Sequence, residues 1–302
     1  MRSLQLTVLI FTLLAVSCNE YPQDDYEEFY VVETYLIAQN ELPEIYLSTT
    51  APVTSKYLFQ DYAVSNASIT IDLLSGDEDS EIEQFFGYTM DNQNSGIYKP
   101  LIPHKVLPSR TYRIRIADLP NNPLASIVGY TTVPDTFSTI SDVPDTVVYQ
   151  SNEQIELNIT ESVNPDRQSY FIFTTISQSP EVSSFTPLYL NFYDQDEDQL
   201  GDYVKTSSGI VNEENFDTNS DGTLTLKYPW IGVAFFGDNL IVANTVDDNI
   251  YDFLRSQSVQ LGGSTLSPGE IPNVLYKLEG GIGVFGSLAA DTIRTYIKRS
   301  SE

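Results

Sequence analysis

The sequence predicts an all-β protein: an N-terminal Ig-like β-sandwich followed by a second β-rich domain with one short helix. Three observations carry this. Short segments alternate apolar and polar residues at period two, turn residues punctuate them regularly, and a single stretch repeats its apolar residues at helical spacing.

The first strand lies in Phe29 to Ala38, rich in β-branched and aromatic residues, and Ile45-Tyr46-Leu47 follows after a polar break. Ile69, Ile71 and Leu73 alternate with Ser68, Thr70 and Asp72. Tyr112, Ile114 and Ile116 alternate with Thr111, Arg113 and Arg115. Such alternation places one face of each strand in a core and the other in water. Ser75-Gly76-Asp77, Asn94-Ser95-Gly96, Leu107-Pro108-Ser109 and Leu119-Pro120-Asn121 are turn signals between them. The Cys-Trp-Cys pattern of immunoglobulin cores is absent, so residues 29–135 are Ig-like only.

Val133-Pro134-Asp135 opens a Ser/Thr/Asp/Pro-rich connection to about Val148, which divides the chain into domains at 29–135 and 136–302. In the second, Ile155, Leu157 and Ile159 alternate with polar residues, as do Leu224, Leu226 and Tyr228. Tyr170-Phe171-Ile172-Phe173 reads as a strand buried on both faces. Asp247 or Asp248 caps a helical turn carrying Ile250, Tyr251, Phe253 and Leu254, which ends before Gly262-Gly263. Asp291 to Lys298 reads as a final strand.

The start of the chain is an address. Arg2 precedes an apolar run to Val16, with small residues before the only cysteine, Cys18. Residues 1–17 have the layout of a signal peptide and are too short to span a bilayer. Cys18 after that run resembles a bacterial lipobox, in which the thiol is acylated; ordinary secretory cleavage after Ala15-Val16-Ser17 is the alternative. Residues 18–28 are acidic and aperiodic, a tether between lipid and first domain. Acidic residues just after such a cysteine also resemble the export signals of surface-exposed Bacteroidota lipoproteins.

Composition bounds the partners. The 302 residues hold 42 acidic and 15 basic side chains, a formal charge of −27, which argues against nucleic acid and against membrane binding through a basic patch. The 41% hydrophobic content, with 20 Tyr and 15 Phe, belongs to a folded chain rather than to an acidic tail. One cysteine allows no internal disulfide.

Chemistry-bearing motifs are few. Asp217, Asn219, Asp221 and Thr223, with Gly222 at the sixth position, match the first half of a calcium loop, where alternate oxygen ligands wrap a hard cation. The twelfth position is Tyr228 rather than a bidentate Glu, so any calcium here is structural, and no cofactor is required; a polar hairpin loop is the competing reading. Asp194 to Asp198 has the same spacing without the glycine. Gly281-Ile282-Gly283-Val284-Phe285-Gly286 is a literal G-x-G-x-x-G but lacks the strand–helix context and following acid of a dinucleotide site; close backbone approach or a bulge is the better reading. His104 is the only histidine and reads as a surface loop residue. No nucleophile constellation accompanies it, which points away from catalysis.

Several of these pieces, in order, resemble the Bacteroidota lipoproteins of domain of unknown function 4249. They are the lipobox-like Cys18, Phe29-Tyr30-Val31-Val32-Glu33-Thr34-Tyr35, Asn66-Ala67-Ser68-Ile69-Thr70-Ile71 and Gly96-Ile97-Tyr98. Tyr112-Arg113-Ile114-Arg115-Ile116, Thr131-Thr132-Val133-Pro134, Ile250 to Ser256 and the closing Gly280 to Gly286 complete the series. The segment from about Ser177 to Asn219 matches nothing in that pattern. The resemblance implies a non-enzymatic outer-membrane lipoprotein, anchored by lipid on Cys18 at the extracellular face and accessory to a TonB-dependent nutrient transporter. It supplies no catalytic residues. A free-standing glycan- or peptide-binding lipoprotein using exposed Tyr and Trp230, a carboxylate-based hydrolase and a structural envelope protein are the alternatives.

Overall fold

In a computed structural model of the chain, residues 26–120, 122–140, 143–151, 155–164, 167–194, 199–260 and 273–300 are described. Cys18, the signal segment and most of the tether lie outside them.

The strands among the described residues include every one expected from the alternation, and eight more that it did not single out, of which Gly237–Val246 is the longest. In the N-terminal half they are β1 (Tyr30–Ile37), β2 (Ile45–Thr49), β3 (Ser68–Leu74), β4 (Ile82–Met90), β5 (Ile97–Pro100), β6 (Thr111–Ala117) and β7 (Ile127–Thr132). In the C-terminal half they are β8 (Thr146–Val148), β9 (Ile155–Ile159), β10 (Tyr170–Ser177), β11 (Lys205–Asn212), β12 (Asp217–Thr218), β13 (Leu224–Tyr228), β14 (Gly237–Val246), β15 (Leu278–Glu279) and β16 (Ile282–Lys298). The expected helix is Asp248–Gln260. Two further short helices, Phe59–Tyr62 and Pro187–Phe192, carry no period long enough to be seen in the sequence.

The hydrogen-bonded path runs β11-β10-β14-β16-β1-β2-β5-β4-β3-β6-β7-β15, with β8 beside β16. β4 turns the corner of the N-terminal half, pairing with β3 along its length and with β5 at its end. The half is therefore sandwich-like. Val32, Leu36 and Leu47 from one side meet Ile71, Ile114 and Ile116 from the other in a common core. In the C-terminal half a separate sheet, β12-β13-β9, covers the face of β10 that carries Phe171, Phe173 and Thr175. Phe173 meets the Tyr228 ring edge-on at 6.0 Å, and the Tyr228 hydroxyl lies 2.6 Å from Thr175 Oγ1.

Three local expectations are corrected. β10 is not buried on both faces: Phe171 and Phe173 are fully buried, while Tyr170 and Ile172 are half-exposed toward the Asp248–Gln260 helix. Asp72 was expected to face water, but it is fully buried. It accepts hydrogen bonds from Arg113 (Nε 3.0 Å, Nη2 2.9 Å) and from Arg115 (Nε 2.7 Å, Nη2 3.2 Å) on β6. The two guanidinium groups cover the carboxylate and keep their own outer edges wet, which makes its burial tolerable.

The third correction concerns the last strand. It begins at Ile282, nine residues before the expected start, and pairs with both halves. Ile282 to Leu288 run parallel to Val31–Ile37 of β1, then Leu288 to Ile297 run antiparallel to β14. The chain from 136 onward thus returns into the N-terminal half. Gly283 permits this: its φ is +107°, and a Cβ there would sit 2.2 Å from the Val32 carbonyl oxygen. The glycine-rich segment serves close backbone approach, as its sequence context implied.

Candidate functional site

The Asp248–Gln260 helix stands where both halves meet, and its first turn builds a polar junction. Asp247 follows β14 directly as the N-cap, and its Oδ1 accepts from the Ile250 N–H at 2.9 Å. Its Oδ2 accepts from Thr131 Oγ1 of β7, and Ser287 Oγ of β16 lies 3.3 Å from the same oxygen. Thr131 Oγ1 and Ser287 Oγ are 2.6 Å apart. The Asn249 side-chain amide donates to the Tyr130 carbonyl at 2.5 Å and to the Phe285 carbonyl at 2.7 Å. Gly286 gives the helix room, since a Cβ there would lie 2.5 Å from Ile250 Cγ1. Asp247 is 4% exposed, and its burial pushes the carboxyl up to about 6 against the pull of its hydrogen-bond donors.

Two cavities flank this turn. A polar one of about 260 Å³ is lined by Thr131, Asp247, Asp248, Asn249, Arg167 and Lys277, among others. Arg167 pairs with Asp248 and donates to the Val246 carbonyl at 2.7 Å, while Lys277 Nζ lies 2.9 Å from Asp252. Its charges are thus largely compensated. The larger cavity, about 740 Å³, lies between the helix and the half-exposed face of β10 and β11. Tyr170 and Tyr251 stack there with ring centroids 4.0 Å apart, and Arg255 Nη1 donates to the Tyr251 hydroxyl at 2.9 Å. A volume of that size is what small ligands occupy. In the sequence Tyr251 was visible only as a helix residue. Tyr170, Thr131 and Ser287 carried no site signal, because each acts through partners far away in the chain; Arg255 acts through Tyr251, four residues before it, and was visible only as part of the helical stretch.

The residues singled out by motif do not gather here. Asp217 lies on β12, paired with Thr225, and Asn219, Asp221 and Thr223 belong to the tight turn that joins β12 to β13. Asn219 Nδ2 donates to Thr223 Oγ1 (2.9 Å) and Thr225 Oγ1 (2.8 Å); Asp221 Oδ1 accepts from the Thr223 N–H (3.0 Å) and hydroxyl (2.7 Å). The Thr223 hydroxyl and N–H hold the Asp221 carboxyl below its ordinary range. Among the described residues no three His, Cys, Asp or Glu side chains gather at metal-binding distance. Because the oxygens of this turn already brace one another, calcium at millimolar concentration is expected to leave the thermal midpoint unchanged. A rise of several degrees with calcium but not magnesium would establish the loop as a cation site. The weaker match at Asp194 to Asp198 lies mostly outside the described residues.

His104 is not a free surface residue. Its Nε2 is 2.9 Å from the Tyr112 hydroxyl and its ring stacks on Phe86 at 4.2 Å, so burial lowers its pKa. Trp230 packs edge-on against Tyr149 at 5.2 Å. Among the described residues no helix is long and apolar enough to cross a membrane, which says nothing of strands.

Comparison with known proteins gives a family and little beyond it. The family model described as "Domain of unknown function (DUF4249)" matches residues 19–294. No curated protein matches the chain. Among solved structures, Salmonella alpha-2-macroglobulin reacted with methylamine is 7% identical, covering 90% of this chain and 15% of that one, at a TM-score of 0.22. Escherichia coli alpha-2-macroglobulin activated by porcine elastase is 10% identical, covering 88% of this chain and 22% of that one, at a TM-score of 0.21. The chain spans only a small part of either structure, and at these scores neither likeness carries an argument.

Proposed function

The chain belongs to the DUF4249 family, and we propose that it works as a lipid-anchored, non-catalytic accessory protein of the outer membrane, partner to a TonB-dependent nutrient transporter. One observation carries the reading: the family match begins at Asn19, directly after the lipobox-like Cys18, so the lipid would adjoin the family domain. Several acyl chains on one cysteine would anchor the protein stably, each buried CH₂ contributing about 0.8 kcal/mol. The acidic tether that follows would hold the body clear of an anionic surface and leave its loops free to face a transporter at the extracellular side.

The absence of a catalytic role is part of the proposal. A carboxylate-based hydrolase would need a raised carboxyl in a cleft, and Asp247 is the residue that answers to that description. Both of its oxygens, however, are committed to the helix cap and to the hydroxyls of Thr131 and Ser287, which favours a structural assignment.

The test is a mild-detergent pull-down of the full chain from native outer membranes, followed by mass spectrometry. The expected result is a TonB-dependent barrel in stoichiometric amount, with labelled palmitate on the wild type and none on Cys18→Ser. Recovery of the acylated protein alone would overturn the transporter partnership and favour the second reading, a free-standing binding lipoprotein, which the 740 Å³ cavity supports independently.

A further inference from the structure

The larger cavity has a composition at odds with the chain that forms it. Acidic side chains outnumber basic ones 42 to 15 overall, yet among the described residues no carboxylate lines this space, and one arginine does. Arg255 is held in place. Its guanidinium lies over the Tyr251 ring, 5.7 Å from the centroid, and Nη1 bonds the Tyr251 hydroxyl. Other arginines near the helix and on the adjoining strands meet carboxylates: Arg167 pairs with Asp248 and Arg294 with Asp238. Arg255 has no carboxylate partner among the described residues. Opposite it, Ile172 and Ile210 pair across β10 and β11 and present half-exposed side chains on one face, while Leu254 faces them from the helix.

A fixed guanidinium with no counter-charge among the described residues, beside an apolar wall and in a space of ligand size, is complementary to an amphipathic anion. We propose that this cavity is a binding site for a small organic acid, its carboxylate held by Arg255 and its apolar body lying on Ile172, Ile210 and Leu254. The surrounding acidic surface slows the approach of anions but does not forbid it, since exposed charges are screened within about 8 Å at physiological salt. The site stands whether or not a transporter is the partner, and its test is independent of the pull-down.

The experiment is isothermal titration of the full chain in nanodiscs, with empty nanodiscs subtracted, using 4-phenylbutyrate and its uncharged amide as probes. The acid is expected to bind at least tenfold more tightly than the amide. Arg255→Gln, an exposed change, should erase that preference and leave amide affinity within about twofold. Leu254→Trp, which fills the cavity, should weaken both probes more than tenfold, with its folding checked by the thermal midpoint. Equal affinity for acid and amide, no binding of either, or an acid preference that survives Arg255→Gln would each overturn the assignment.

Discussion

Gly283→Ala is expected to abolish the stable fold or to lower its stability by about 3–5 kcal/mol, a large fraction of the roughly 5–15 kcal/mol typical of a domain. Two effects add. At φ +107° an L side chain is strained by about 1–3 kcal/mol. The new methyl would also lie 2.2 Å from Val32 O and 3.0 Å from Val32 N, both backbone atoms that cannot rotate away. Relief requires β1 and β16 to separate, and that parallel pair is where the chain from 136 onward re-enters the N-terminal half. Gly209→Ala isolates the first effect: its φ is +71°, and nothing lies within 4 Å of the added carbon, so about 1–2 kcal/mol is expected there. Urea denaturation of both variants decides the matter. A Gly283→Ala midpoint no lower than that of Gly209→Ala would mean the two strands are not held as described.

The second large effect is pH-dependent. Asp247 has an ordinary value of 3.8 and a folded value of about 6. Below 3.8 it is protonated in both states and its burial is unpenalised. As pH rises through about 6 the native state must ionise a group that the unfolded chain ionises far more easily, so this contribution to stability is lost, by about 3 kcal/mol in full. Asp247→Asn keeps an oxygen for the Ile250 N–H, and its amide can donate to the hydroxyls of Thr131 and Ser287. It is therefore expected to be more stable than wild type by about 1–3 kcal/mol at pH 7.5, with the advantage shrinking toward pH 4. Asp247→Ala removes the cap and the carboxylate that accepts from the Thr131 hydroxyl, while Ser287 keeps the Thr132 carbonyl, and should lose about 2–4 kcal/mol. His104 acts in the opposite sense: burial depresses its pKa, so its contribution is full above 6.5 and is lost as pH falls from there through the depressed folded value. For that reason the informative quantity is the difference between wild type and Asp247→Asn along the pH series. A difference that stays constant from pH 4 to 7.5 would refute the assignment of Asp247.

Local pattern was enough to find half of the strands among the described residues, the helix and two candidate caps, because period two and period 3.6 report which side of a segment is apolar without reference to anything distant. Tyr112, Ile114 and Ile116 point into the core as their alternation requires, and Asp247 caps through a contact three residues away. The Gly281–Gly286 segment also declared its need for close approach. Period alone could not say what approaches. That Gly283 meets Val32, that Asp72 is covered by Arg113 and Arg115, and that Thr131 and Ser287 meet on Asp247 are consequences of strand register. The 740 Å³ cavity arises the same way, from a helix laid across two strands that begin about 80 and about 40 residues earlier in the chain. Alternation assigns a face to each residue; only the pairing of distant strands assigns it a neighbour, and binding chemistry is made of neighbours.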